Sequence, residues 1–318
     1  MSARARPSSP RATRPTPRAL PARPRGVALL IAVFALALAL LLVAALLDAG
    51  EASRARHREH WRAEQAGQLM RGLEGWAASA LVDDAARGRT DSLDEPWAQP
   101  VPPIEVPGAR IRGRLRDLGG CFNVNGLAPG GVTDPQAVAR LGRVLQAVGA
   151  DPRLAPRIAD LVDADRSPQA GGAEPGPGLS PDAPLSLVAE LRPALRLGEA
   201  EFARVASLLC ALPADHRSNL NTAPPALWQG IDARISPMLA TRLARTAGGT
   251  PYADLRAVRE ALLREGIDVP DLTPYAVDSR YVVAEADIEA DGIALAYASL
   301  LAREPGRVRV IARVRGRL

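Results

Sequence analysis

The hydrophobic pattern separates one long apolar run near the N-terminus from a mixed region after it. Residues 27–47 contain no charged residue and no proline. A hydrocarbon core of about 30 Å needs roughly 20 apolar helical residues, so the run predicts a transmembrane helix. After Asp48 the pattern predicts that the helix continues to about Arg87 and packs along one face, because apolar residues recur at helical spacing, at Leu69, Met70, Leu73, Trp76, Ala77, Ala80 and Leu81.

The rest of the chain alternates between strand and helix patterns. A Pro-rich connector at 96–108 precedes a predicted strand at 109–118. Asp291-Gly292 between apolar runs predicts a hairpin within a three-stranded antiparallel meander at 281–290, 293–302 and 307–315. Helices are predicted between the first strand and the meander, at 135–148, 154–162, 186–191, 199–209, 224–229, 237–247 and 252–264.

This order predicts an α+β fold, in which a long N-terminal transmembrane helix leads into a small antiparallel-sheet domain interrupted by a large inserted α-helical domain. We predict five segments: a basic cytoplasmic leader at 1–26, the transmembrane segment at 27–47, a helix and first strand at 48–118, the inserted α-helical domain at 119–278, and the β-meander at 279–318.

The net positive charge of the chain comes from the leader. It holds seven arginines and no acid, so the positive-inside rule leaves the N-terminus in the cytoplasm and exports the rest. The leader accounts for seven of the 40 basic residues of the chain. The exported part therefore has 33 basic and 35 acidic residues, a formal net charge of −2. The exported part has no basic excess that would favour nucleic-acid binding.

The Arg25-Gly26 step before the apolar run suggests a processing site, and three interpretations compete. An ordinary secretory signal has a shorter apolar stretch followed by a cleavage site with small residues. A plain signal anchor requires nothing of Gly26. A type IV pilin-like leader is cut on the cytoplasmic side after a glycine that precedes the apolar stretch, which predicts cleavage between Gly26 and Val27.

Cys121 and Cys210 are the two cysteines of the chain. An oxidising compartment would allow a disulfide between them. Two buried small side chains are the alternative, because the sequence gives no distance between them.

The acidic segment at 163–174 carries oxygen donors at the spacing of a calcium-binding loop. Asp163, Asp165 and Glu174 occupy positions 1, 3 and 12 of an EF-hand-like order. Pro168 replaces the glycine that the sharp turn of an EF-hand requires, so we expect a looser calcium site. The alternative is an acidic helix end followed by a solvated loop.

The segment 220–245 resembles the helix-hairpin-helix motif of DNA-binding proteins, which gives a rival function: a membrane-anchored, exported DNA-binding protein. That motif approaches phosphate through a Gly-apolar-Gly hairpin, since only glycine lets the backbone come so close. Here the hairpin is Gly230-Ile231-Asp232, and an acid at the second glycine repels phosphate. We therefore expect a retained fold without nucleic acid.

No catalytic residues are predicted. The three histidines, His57, His60 and His216, show no metal-ligand spacing, and the chain lacks a GxSxG turn and any lysine. His216 is expected to be a loop residue.

Several phrases occur in an order and spacing that resemble the K-type minor pseudopilins of bacterial type II secretion systems, also called general secretion pathway protein K. These phrases are RGVALLIAVFAL at 25–36, DEPWAQPVPP at 94–103, DLGGCFNVNGL at 117–127, LVDADRSPQAGGAE at 161–174, LSLVAELR at 185–192, LNTAPPALW at 220–228 and SRYVVAEADIEADG at 279–292.

The resemblance implies a structural subunit at the tip of the pseudopilus that supports protein export across the outer membrane. It implies an inner-membrane anchor with a periplasmic C-terminal domain, processing by the prepilin peptidase, and a tip complex with I- and J-type minor pseudopilins. Secreted cargo or the outer-membrane channel are further implied partners. No cofactor is required, and calcium is the ion that similar proteins bind in this domain. Ile31 stands at the fifth position after the cut, where most pilin-like subunits carry glutamate and K-type proteins characteristically do not.

Overall fold

The computed structural model describes residues 25–164, 183–290 and 292–316, and the predicted α+β class is confirmed. Its α-helices are α1 (Arg25–Arg87), α2 (Pro135–Ala147), α3 (Leu154–Val162), α4 (Leu191–Ala194), α5 (Glu199–Ala206), α6 (Pro225–Ile231), α7 (Pro237–Gly249) and α8 (Leu255–Arg264). Short 3-10 turns occur at Pro96–Ala98, Val124–Leu127, Pro129–Gly131 and Val188–Glu190.

The strands form one main sheet and two small parallel pairs. They are β1 (Ile104–Val106), β2 (Ala109–Asp117), β3 (Phe122–Asn123), β4 (Leu209–Cys210), β5 (Ser218–Asn219), β6 (Tyr275–Ala276), β7 (Tyr281–Ala290), β8 (Ile293–Glu304) and β9 (Arg307–Arg315). The main sheet has the order β1-β2-β7-β8-β9 and is antiparallel throughout. The predicted meander is thus present, and β2 joins it by pairing with β7.

The chain divides into two compact units, Met1–Trp61 and Arg62–Leu318. In the first unit, the helical stretch Leu29–Glu51 is long and apolar enough to cross a membrane. Its side chains are exposed, and Ile31 has 61% of its surface accessible. Such a stretch is stable in an apolar solvent, which agrees with the sequence prediction of a membrane span.

In the second unit, the last turns of α1 pack on one face of the main sheet. Met70, Leu73, Ala77 and Leu81 are buried and follow one stripe of the helix. They contact a layer of sheet residues that includes Ile111, Leu115, Val282, Ala284, Ile288 and Leu301. The prediction that Trp76 shares this face was wrong: its side chain lies off the stripe and is exposed.

One charged residue is buried in this layer. Glu74 of α1 accepts hydrogen bonds from Ser299 Oγ at 2.5 Å and from Arg313 Nε and Nη2 at 2.7 and 2.9 Å. Burial alone would raise the pKa of Glu74, but these hydrogen bonds outweigh it and hold the pKa below its ordinary value. The carboxylate therefore connects α1 to β8 and β9 in its charged form.

The helical block, residues 119–278, has its own hydrophobic core. One cluster of buried side chains runs from Val124 to Val277, and its fully buried members include Leu127, Leu141, Leu145, Leu154, Ile158, Leu191, Leu220, Trp228 and Leu262. The α1–sheet layer belongs to a different cluster. The block thus satisfies its apolar faces internally and meets the sheet across a smaller third cluster around Cys121, Cys210 and Tyr281.

The structure differs from the sequence prediction at short elements. Ile104–Val106 lies inside the predicted connector yet forms the edge strand β1, a position where flanking prolines are tolerated. The helix predicted at 199–209 ends at Ala206. The reason is that Leu209–Cys210 pairs with Phe122–Asn123 as a parallel ladder, and residues in a ladder cannot continue a helix.

The chain leaves the main sheet through two glycines that have no room for a side chain. A Cβ on Gly119 would lie 2.2 Å from Ser279 Oγ, and a Cβ on Gly120 would lie 2.5 Å from the carbonyl oxygen of Thr222. The second contact is with backbone, which cannot rotate away. Gly119 therefore lets the start of the helical block approach its return segment, residues 277–279, and Gly120 lets the start approach Thr222 inside the block.

We expect Gly120→Ala to lower the free energy of unfolding by about 1–3 kcal/mol, the usual cost of overpacking a close contact. Gly126→Ala is the matched control, because a Cβ there meets its nearest atom only at 3.8 Å. Urea denaturation of both variants measures the difference. Equal stability of the two variants would show that the approach of Gly120 to Thr222 is not a tight one.

Candidate functional site

The region that positions the helical block is the joint, which we define as Asp117, Asn219, Thr222 and Ser279. Asp117 ends β2, and its carboxylate accepts from Gly119 N at 2.7 Å, from Gly120 N at 3.1 Å and from Thr222 Oγ1. Burial raises the pKa of Asp117, and the hydrogen bonds lower it in part. One carboxylate therefore binds the backbone of both glycines at the start of the block and the side chain of Thr222, which precedes α6.

Asn219 completes the joint from the side of the block. Its Nδ2 donates to Asp91 O at 3.0 Å and to Ser279 Oγ at 2.8 Å, and its backbone N donates to Gly119 O at 2.7 Å. It is fully buried. This buried residue therefore connects three segments in one hydrogen-bond network: the α1–β1 loop at Asp91, the start of the block at Gly119 and the return segment at Ser279.

Asn221, two residues on, makes a bracket between distant backbone segments. Its Oδ1 accepts from Tyr252 N at 2.8 Å, while its Nδ2 donates to Tyr252 O at 3.1 Å and to Val277 O at 3.2 Å. The side chain thus pairs with Tyr252 as a strand neighbour would. These bonds hold together the second half of the block, which contains α6, α7 and α8.

The same bracket occurs in the first half. Asn125 Oδ1 accepts from Leu185 N at 2.8 Å, and its Nδ2 donates to Leu185 O and Leu212 O, both at 2.9 Å. Asn123 Oδ1 accepts from Leu212 N at 2.9 Å. These four asparagines were not among the residues predicted from the sequence, although the spacing Asn-x-Asn occurs twice, at 123–125 and 219–221.

The structure joins Cys121 and Cys210 in a disulfide, with Cα atoms 5.8 Å apart and a sequence separation of 89. Both cysteines are buried next to the β3–β4 ladder. A cross-link over a loop of this length restricts the unfolded chain strongly, by about 2–5 kcal/mol in typical cases. The disulfide fixes the start of the helical block, at Cys121, to β4.

His216 lies beside this disulfide as a packing residue. Its ring meets Tyr281 edge-on, with centroids 5.6 Å apart. Burial lowers the pKa of His216 to about 4, so the ring is neutral at physiological pH. The neighbouring Cys121 and Cys210 sulfurs are bonded to each other and offer no thiolate to a metal.

Of the predicted calcium ligands, the structure describes Asp163. It is buried at the end of α3, and its Oδ2 accepts from Thr133 Oγ1 at 2.9 Å. Asp165 and Glu174 lie outside the described residues. The calcium site stays a prediction.

The predicted hairpin residues lie at the end of α6, where Gly230 and Ile231 are its last two residues and Asp232 follows them. Asp232 caps the end of α6, and its carboxylate accepts from Arg234 N at 2.8 Å and from Arg234 Nε at 2.8 Å. These bonds hold the pKa of Asp232 below its ordinary value, so its carboxylate stays ionised and paired with the Arg234 guanidinium. A phosphate would meet this charge at the place where a DNA-binding hairpin presents its second glycine.

Gly230 of the hairpin serves packing of helices. A Cβ there would lie 2.6 Å from Val144 Cγ2 of α2. Its carbonyl oxygen accepts from Arg143 Nη2 at 2.7 Å. The glycine that resembles a DNA-binding feature is therefore required by the contact between α2 and α6.

The predicted processing site lies in the first turn of α1, which begins at Arg25 and includes Gly26 and Val27. Cleavage between Gly26 and Val27 stays a prediction.

Comparisons with known proteins agree with the motifs. The family model of type II secretion system (T2SS) protein K matches residues 120–214. Type II secretion system protein K of Pectobacterium carotovorum subsp. carotovorum is 31% identical over 63% of this chain and 67% of its own length. This chain belongs to the type II secretion system protein K family. The Pseudomonas aeruginosa protein K is 29% identical over 92% of both chains.

The fold is also that of a solved structure. A chain in the crystal structure of the GspK-GspI-GspJ complex from the enterotoxigenic Escherichia coli type 2 secretion system matches with a TM-score of 0.71. The match covers 83% of this chain and 100% of that chain, at 23% identity. The family resemblance that the sequence motifs indicated is confirmed.

We expect a soluble fragment of this protein K family member, residues 50–318, to bind duplex DNA no more tightly than about millimolar at physiological salt, because it has no basic excess and its hairpin has Asp232 in place of the second glycine. Fluorescence anisotropy at several salt concentrations measures the affinity. Asp232→Gly restores the Gly-x-Gly pattern and serves as the comparison. Micromolar, salt-dependent binding by the unaltered fragment would contradict the expectation and favour the DNA-binding alternative.

Proposed function

We propose that this chain is the minor pseudopilin that caps the pseudopilus of a type II secretion system and supports export of proteins across the outer membrane. Membership of the protein K family is the observation that carries the proposal. The helical block with its own core gives the bulk expected of a cap. We propose a structural role without catalysis.

The proposed location is the inner membrane, with a cytoplasmic N-terminus and a periplasmic C-terminal domain. The helical stretch Leu29–Glu51 supports a single span. The arginine-rich leader supports the orientation. The disulfide between Cys121 and Cys210 suits an oxidising compartment.

The proposed tip position rests on Ile31. A carboxylate in hydrocarbon is costly unless a neighbour pairs with it. A glutamate at this position would be matched by the N-terminal amine of a neighbouring subunit. A subunit with Ile31 has no such requirement and suits the end of a filament, where no further subunit follows.

The proposed partners are I- and J-type minor pseudopilins. The structure of similar fold is a complex named for proteins K, I and J of another organism. Secreted cargo and the outer-membrane channel are further proposed partners, since both face the tip of a filament that grows towards the outer membrane.

We expect the full chain to co-purify from detergent extracts with the I- and J-type minor pseudopilins of the same secretion system as a stable ternary complex. Co-expression followed by size-exclusion chromatography with mass determination measures the assembly. The control replaces the J-type protein with a major pseudopilin of that system, which should not enter the complex. A folded chain that elutes alone from the full mixture would contradict the proposed assembly.

We expect the Gly26–Val27 bond to be cut in cells that contain a prepilin peptidase, because a small residue lies at the cytoplasmic edge of the span. Edman sequencing of membrane-extracted protein should begin at Val27. Gly26→Leu should leave the leader attached, whereas Gly50→Leu, at the opposite end of the span, should not affect cleavage. Protein that begins at Met1, or beyond Ala49, would contradict the proposed processing.

A further inference from the structure

A cluster of three acids around one arginine lies where α1, the α1–β1 loop and β8 meet. One carboxylate oxygen from each of Asp84, Asp91 and Glu95 lies within 4.8 Å of the others. Arg303 Nη2 donates to Asp84 Oδ2 at 3.0 Å, and Arg303 Nη1 pairs with Asp91 Oδ1. With all three acids ionised, the cluster carries two negative charges in excess.

Little water reaches the centre of this cluster. The side chains of Asp84, Asp91 and Arg303 are 12%, 5% and 13% exposed. Coulombic repulsion between like charges is stronger where water is excluded, because the local dielectric constant is lower. Burial of the excess charge therefore opposes full ionisation.

Asp91 is also the link between the loop and the helical block. Its Oδ2 accepts from Ser279 N at 2.6 Å, its backbone N donates to Val277 O at 3.0 Å, and its backbone O accepts from Asn219 Nδ2 at 3.0 Å. Two of these bonds hold the return segment of the block, residues 277–279, against the loop, and the third connects the loop to Asn219.

Glu95 keeps the loop folded around Asp91. Its Oε1 accepts from Ser92 N at 3.2 Å and its Oε2 from Trp97 Nε1 at 2.5 Å. The indole of Trp97 is buried in the α1–sheet layer. The acid is therefore held close to Asp91 and cannot swing into solvent without opening the loop.

We propose that Asp84, Asp91, Glu95 and Arg303 form a proton-operated clasp, in which uptake of one proton by the acids tightens the α1–β1 loop against the return segment of the helical block. The charged groups that face Asp91 are Asp84 from α1, Glu95 from the loop and Arg303 from β8. Arg280, which precedes β7, forms an ion pair with Asp215, with Nη1 and Oδ2 2.9 Å apart.

The direction of the effect follows from linkage. Burial raises the pKa of Asp91 from 3.8 to about 6, although Arg303 opposes the rise. Burial also raises the pKa of Glu95, and the charges of Asp84 and Asp91 add to that rise. The closed clasp holds a proton that the opened loop releases, so the closed form loses stability as pH rises between about 4 and 6 and stays weaker above that range.

Amide hydrogen exchange of the full chain in detergent micelles tests the clasp. The opening constant at the Ser279 and Asp91 amides, corrected for intrinsic exchange, should rise about tenfold from pH 5 to pH 7. Asp91→Asn removes the titrating group but keeps an oxygen for Ser279 N, and it should abolish the rise. Glu105→Gln, in an exposed pair with Arg110, is the matched control and should retain the rise.

A second variant keeps the test decisive if Asp91→Asn does not fold. Glu95→Gln removes one neighbouring charge, so the rise should move to lower pH by a measurable fraction of a unit. Carboxyl carbon NMR of Asp91 should show the same displacement. An opening constant that does not change with pH in the unaltered chain, or a rise that persists unchanged in Asp91→Asn, would overturn the proposal.

Discussion

The start of the helical block, at Gly119, lies against its return segment, at Ser279, and the second unit depends on this close approach. Gly119 permits this approach sterically, and Gly120 permits the contact with Thr222. Asp117 and Asn219 fix both contacts through hydrogen bonds that leave little freedom to either segment. Because the block meets the sheet at one joint, its own core and the α1–sheet layer can remain separate clusters. A large insertion is thereby accommodated without disturbing the pairing of β2 with β7.

Buried polar groups give this architecture its specificity. Glu74 connects α1 to the sheet, the two Asn-x-Asn brackets close the two halves of the block, and Asp91 connects the loop to the return segment. Each group is matched by donors or acceptors, so an altered register would leave buried atoms unpaired at a cost of about 1–3 kcal/mol each. Apolar burial makes the unit compact, whereas these groups select one arrangement.

Periodicity in the sequence was sufficient to predict the long elements. The amphipathic helices α2 and α3 and the hairpin at Gly292 have local patterns, and the structure has them near the predicted positions. Elements that depend on distant partners could not be predicted. The edge strand at Ile104–Val106 and the two-residue ladders at β3 and β5 exist because a remote backbone pairs with them, and the partners of Asn125 and Asn221 lie 60 and 31 residues away.

The central position of the β2–β7 pair has a consequence for the order of folding. Ala109 pairs with Ala290 and Asp117 with Val282, so the middle of the sheet joins strands from opposite sides of the insertion. The entropic cost of closing such a loop is met before the strands can pair. A block that folds first brings Gly119 beside Ser279 and reduces that long loop to a short link. In that order of folding, the inserted helices would act as an internal template on which the sheet is completed last.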